Sequence, residues 1–152
     1  MPEEAKRGLS EIRIINNLKT MKLITYTDGG ARGNPGPAAT GVVILDTNGK
    51  TLEAYGEYLG HQTNNFAEYS ALLSAVKKAL SLGATEIECV LDSELVVKQM
   101  RREYKVKEPT LQKLFLQIWN LTANGPKISY RHVPRAQNKA ADREVNKVLD
   151  SI

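Results

Sequence analysis

Two short apolar runs, "KLITYTD" (Lys22–Asp28) and "EIECVLD" (Glu86–Asp92), each leave on an aspartate, and a helical stretch lies between them. That arrangement constrains the fold more than any other feature of the chain. Strands joined through a helix are usually parallel neighbours with a right-handed crossover. In open α/β sheets the functional crevice lies at the carboxyl ends of the parallel strands. If the two runs are neighbouring strands, Asp28 and Asp92 converge there.

The rest of the chain fits around this pair. "TGVVILDTNGKTLEAYGEYL" (Thr40–Leu59) reads as two strands joined at Asn48-Gly49, a strong short hairpin signal. In "NNFAEYSALLSAVKKALSLG", Tyr69, Leu72, Leu73, Val76 and Leu80 recur at helical spacing, and Gly83 stops the helix. A helix from Ser93 to about Glu103 follows, then one from about Thr110 to Leu121. "KISYRHV" reads as the fifth strand, and a last helix runs from near Ala136 almost to the end. The order is strand-strand-strand-helix-strand-helix-helix-strand-helix. The first strand should lie beside the fourth, with the second and third extending the sheet as an antiparallel meander.

One stretch has more freedom than its place requires. After Asp28, the nine residues Gly29–Pro37 contain four glycines and two prolines, whereas a hairpin turn needs a single Asp-Gly pair.

The 152 residues suffice for one domain with a real core. Residues 21–152 are expected to form it, with 1–20 an N-terminal extension in which Ser10 could cap a short helix. The longest apolar runs are far too short to span a bilayer, and no signal-peptide core is evident. Cys89 is the single cysteine, which excludes an internal disulfide and a multi-cysteine metal site. A reducing, cytoplasmic location is expected. The net charge of +4 is uneven: residues 98–152 hold 12 basic and 5 acidic side chains, against 9 and 12 in residues 1–97. A basic surface of this kind is often no more than a solvated face. It gains meaning if a phosphodiester site exists elsewhere.

Each candidate carboxylate has a plain structural use. Asp28-Gly29 could be a turn, and Asp92 could cap the helix after it. Asn65-x-x-Glu68 resembles a capping box. Asp142 is harder to dismiss, because it borders the buried stripe of the last helix with Val145, Leu149 and Ile152. A carboxylate there needs a partner or a cation. Carboxylates sharing one crevice, with no His/Cys cluster beside them, suit hard divalent ions with oxygen ligands, above all Mg²⁺.

Four segments, "TDGGARGNPGP", "TNNFAEYSAL", "LDSELVVKQM" and "HVPRAQNKAAD", fall in the order and spacing of one family. From about Lys22 onward the chain resembles type 1 ribonuclease H. The resemblance implies an α/β, ribonuclease H-like fold: a five-stranded mixed sheet, three antiparallel strands plus two parallel, flanked by helices. It implies an endonuclease that cuts the RNA strand of RNA–DNA hybrids and leaves 5′-phosphate and 3′-hydroxyl ends. Two Mg²⁺ ions, with Mn²⁺ a possible substitute, would activate water and stabilise the leaving oxygen. The acidic quartet falls on Asp28, Glu68, Asp92 and Asp142. Asp28 would bridge the ions, Glu68 and Asp92 help hold the first, and Asp142 hold the second. No organic cofactor is implied, and a monomer is expected.

The resemblance also gives the glycine-rich stretch a use, since Gly29 and Gly30 let backbone approach a nucleic-acid groove. A-form-like helices expose their 2′-hydroxyls in a wide, shallow minor groove. Asn34, Asn64 and Asn65 match positions that read those hydroxyls, and Thr63 matches a contact to a DNA phosphate. Loop and cap chemistry is the plainer use of these asparagines. Three departures stand out. Glu94 replaces a Gln that contacts ribose in many relatives. Only "REYKVKEP" remains where bacterial relatives carry a long basic handle. The loop "VPRAQNKAA" lacks the histidine found in many relatives, leaving Arg135 as the nearest substitute and otherwise a phosphate contact. Rival readings are a non-catalytic duplex-binding module and a nuclease acting on double-stranded RNA or DNA junctions.

Overall fold

The computed structural model describes residues 20–152, and the expected N-terminal extension lies outside the described residues apart from Thr20. The first strand, β1 (Lys22–Ala31), pairs antiparallel with β2 (Gly36–Leu45) and parallel with β5 (Glu86–Leu91). The register sets Thr27 opposite Leu91, so Asp28, still inside β1, and Asp92, just past the end of β5, lie at the same level on adjacent strands. On the far side of β5 lies β6 (Lys127–His132), also parallel. The expected neighbours and directions are therefore all present.

The meander differs in detail. The third position across the sheet is filled by two segments, β3 (Thr51–Tyr55) and β4 (Tyr58–Gln62), both antiparallel to β2. Gly56 and Glu57 interrupt them, and Thr40 bridges the gap by donating its amide to the Glu57 carbonyl (2.9 Å) and accepting the Glu57 amide on Oγ1 (3.0 Å). β1 and β2 also run further into the glycine-rich stretch than its composition suggests. Asp28 is not in a turn: it sits inside β1, opposite Gly41.

Alternation along β1 and β2 sorts side chains onto two faces. One face carries Leu23, Val42 and Ile44, which form the main core with α1 (Asn64–Ser81), α2 (Glu94–Met100) and α3 (Pro109–Thr122). The other receives α4 (Lys139–Asp150), which rests Val145 and Leu149 against Ala39 as a small separate cluster. Where α4 does not reach, Lys22, Glu86, Glu88, Lys127 and Arg131 pave the strands with ion pairs, the shortest Arg131–Glu88 at 2.7 Å. The outer edge of β6 is engaged by Arg101, whose guanidinium donates to the Tyr130 carbonyl.

The helix starts correct two sequence expectations. Thr63 caps α1, its Oγ1 accepting the Phe66 amide at 3.2 Å, so Asn65 and Glu68 form no capping box. Ser93, not Asp92, caps α2. In each case a hydroxyl stands at the position whose geometry suits the cap, which releases Glu68 and Asp92 from local duty. The last helix begins at Lys139 rather than near Ala136, because Arg135–Gln137 forms a single 3₁₀ turn first.

Candidate active site

Close backbone contacts bring the carboxylates together. A Cβ on Gly29 would lie 2.2 Å from the Ala67 carbonyl carbon and 2.3 Å from the Glu68 amide. Only glycine lets α1 seat this closely on β1, and Glu68 is carried to Asp28 as a result. On the opposite face a Cβ on Gly41 would meet the Ala141 carbonyl oxygen at 2.1 Å, so α4 lies directly against β2 just before Asp142. β5 delivers Asp92.

One carboxylate oxygen each from Asp28, Glu68 and Asp92 lies within 4.8 Å of the others. Asp28 and Glu68 are buried and Asp92 is half-buried. Asp142 lines the same cavity of about 490 Å³, together with Gly29, Gly30, Asn64, Asn65 and Arg135. Desolvation, reinforced by the Asp92 charge, pushes the Asp28 carboxyl up to about 7. Glu68 stands well above the usual carboxylate range, from burial first and then from the Asp28 and Asp92 charges. Its Oε2 is buried with no hydrogen-bond partner. An orphaned oxygen beside acids that repel one another leaves an unmet demand for positive charge. An oxygen-only donor set of this kind fits a hard divalent cation.

The remaining expected residues divide by place. The Asn34 Oδ1 accepts the Asn64 amide (3.0 Å), and the Asn64 Oδ1 accepts the Ala31 amide (2.8 Å). Their oxygens brace the loop against α1, which leaves both amide NH₂ groups as donors. Asn34, Thr63 and Asn65 line a second depression next to the carboxylate cavity. Glu94 does not join either: it is exposed and pairs with Lys98 at 3.0 Å. Arg135 does reach the carboxylate cavity, whereas His132 ends β6 outside it.

Two residues not singled out in the sequence also belong here. Asn138 is buried and donates to the Thr27 carbonyl (2.8 Å) and to Asp92 Oδ2 (3.2 Å). Asn146 donates to Asp142 Oδ2 at 3.3 Å. With the last helix expected from near Ala136, Asn138 read as one more residue of its first turn and carried no separate signal. The i,i+4 spacing of Asp142 and Asn146 was the one available clue to the other.

Known proteins agree with this geometry. A family model described as reverse transcriptase-like matches residues 26–148. The N-terminal RNase H domain of Rv2228c from Mycobacterium tuberculosis is 42% identical over 87% of this chain and 96% of that one, with a TM-score of 0.83. RNase H1 from the archaeon Halobacterium salinarum is 38% identical, covering 86% of this chain and 99% of that one, also at 0.83. LC11-RNase H1, solved in complex with an RNA/DNA hybrid, is 46% identical over 85% and 97% of the two chains, at 0.81. The chain belongs to the type 1 ribonuclease H family. It spans 36% of the length of the curated bifunctional protein Rv2228c, to which it is 44% identical over 132 residues.

Proposed function

We propose that the chain is an endonuclease that hydrolyses the RNA strand of RNA–DNA hybrids and leaves 5′-phosphate and 3′-hydroxyl ends. The observation that carries this reading is the convergence of Asp28, Glu68 and Asp92 oxygens within 4.8 Å, with Asp142 on the same cavity. Asp28, Glu68 and Asp92 would hold one divalent ion, and Asp28 with Asp142 a second, Mg²⁺ being the natural choice for carboxylate and water ligands. When bound, such ions supply an activated water and charge stabilisation at the leaving oxygen.

The protein's own part is to select and orient the substrate. The free NH₂ groups of Asn34 and Asn64, with Asn65, serve the 2′-hydroxyls of the RNA strand, and Gly29 and Gly30 keep side chains out of its path. Thr63 takes a DNA phosphate, and Arg135 a phosphate beside the carboxylates. The Glu94 side chain serves Lys98 rather than a ribose, so it is left out of these contacts. The basic stretch from residue 98 onward supplies general attraction for the duplex. Residues 21–152 act as the catalytic domain, as a monomer in the cytoplasm. Among the described residues no helix is long and apolar enough to cross a membrane.

The test is a labelled RNA–DNA hybrid compared with duplex RNA and duplex DNA, each with Mg²⁺, Mn²⁺ or chelator. Cleavage of the RNA strand of the hybrid alone, abolished by chelator, is expected. Cleavage of duplex DNA at the same rate would sink the assignment of substrate.

A further inference from the structure

Asn138 occupies the N-cap position of α4 but makes no side-chain capping bond. Its side chain is instead turned inward, 1% exposed, where Nδ2 meets both the Thr27 carbonyl and Asp92 Oδ2. The Oδ1 is buried with no partner. Both features oppose stability: a favourable cap is forgone, and a buried acceptor is left unsatisfied. An inward-turned amide bearing two penalties is retained for what its donor group joins.

What it joins is the metal-site scaffold. Thr27 immediately precedes Asp28 near the end of β1, Asp92 leaves β5, and Asn138 stands four residues, about one helical turn, before Asp142. One NH₂ group thus ties together the three elements that present Asp28, Asp92 and Asp142. It also engages one Asp92 oxygen, which leaves the other for the shared cavity. Its place at the start of α4 means that a shift of this anchor moves Asp142 as well.

We propose that Asn138 is a positioning residue that sets Asp92 and Asp142 in register with Asp28 for divalent-ion binding, through its donor group and not through packing. The proposal rests on the metal-dependent reading above and deepens it. Partners that orient a metal's ligands typically change metal affinity by about 10- to 100-fold when removed.

The experiment compares Asn138→Leu, which keeps the branched shape and removes both the donor and the orphaned acceptor, with Asn138→Ser, which keeps one donor of shorter reach. Mn²⁺ binding is titrated calorimetrically without nucleic acid, and thermal unfolding is followed in chelator. Asn138→Leu should melt within a few degrees of the parent yet bind Mn²⁺ about 10- to 100-fold more weakly. Asn138→Ser should fall between them, and the Mg²⁺ concentration for half-maximal cleavage should rise in the same order. Parent-like Mn²⁺ affinity in both variants overturns the proposal. So does a weakening that follows the loss of folded protein in both, since that describes a structural residue. If Asn138→Leu does not fold, Asn138→Ser carries the decision alone. Absence of Mn²⁺ binding by the unaltered protein would instead remove the metal-dependent reading itself.

Discussion

Replacing Asp28 with asparagine should stabilise the metal-free protein while abolishing its activity. The folded Asp28 carboxyl stands at about 7, against 3.8 when free of the fold. Between those values the folded state holds a proton that the unfolded chain has released, so stability falls as pH rises through that window. At pH 8 the ionised group weighs against the fold by roughly 4 kcal/mol. The substituted amide would keep the acceptor for the Gly29 amide, which now bonds Asp28 Oδ1 at 3.0 Å. Burying the new NH₂ group without a partner costs about 1–3 kcal/mol. The net gain should be ~1–3 kcal/mol, or about 3–10 °C in Tm for a domain of this size. Differential scanning calorimetry in chelator at pH 8 and pH 5 reads this directly. The gain should vanish at pH 5, where Asp28 is already protonated. Added Mg²⁺ should reverse the ranking, since an ion that binds only the native parent stabilises it by linkage. An unchanged Tm at pH 8, or the same gain at both pH values, would refute a carboxyl raised by burial and by the Asp92 charge.

The glycine seat under α4 makes a second test: Gly41→Ala should displace Asp142 and lower turnover by more than about 10-fold, while costing about 1–3 kcal/mol by denaturant titration. Activity close to that of the parent would show that α4 tolerates the shift. Asn34→Asp retains the acceptor that braces Asn64 and loses the donor, so hybrid cleavage should fall while Tm in chelator holds. A single ribonucleotide within duplex DNA should likewise be cut poorly, and equal rates on it and on the full hybrid would sink the hydroxyl-reading role. For Arg135→Ala, weaker hybrid binding is expected, with the log–log salt slope reduced by about one unit. Lower turnover at saturating substrate with unchanged binding would point to product release instead.

Much of this site was legible because period and chain order carry it. Strands at Lys22 and Glu86 with a helix between them fix Asp28 beside Asp92 before any side chain is placed. The Tyr69–Val76 stripe buries one face of α1 and so orients Glu68. Less legible were the stretches where glycine had two meanings. Gly29, Gly30 and Gly36 read as loop punctuation, yet they lie in strands; the backbone of α1 demands the missing Cβ at Gly29, and the Arg32 carbonyl demands it at Gly36. The break at Gly56 has the same origin, for a Cβ there would meet the Thr40 and Glu144 carbonyl oxygens. Asn138 was hidden for a different reason. It fell inside the helix expected from Ala136, and only the meeting of β1, β5 and α4 gives its side chain partners.

The unequal cover of the two sheet faces has a consequence for how the molecule fails on heating. α4 is held by Val145, Leu149 and Ala39 with Val148, apart from the large core that joins α1, α2 and α3 to the strands. Segments with few buried apolar contacts open at lower free energy than the global transition. The last helix should therefore peel away first and take Asp142 with it, leaving the sheet and α1 with Asp28, Glu68 and Asp92 in place. Inactivation should precede the loss of far-ultraviolet circular dichroism by several degrees. Native-state hydrogen exchange should find the amides of Ala141–Leu149 released before those of β1 and β5. The fold thus contains a fuse: the helix that completes the active site is also the one it can lose and recover without unfolding the rest.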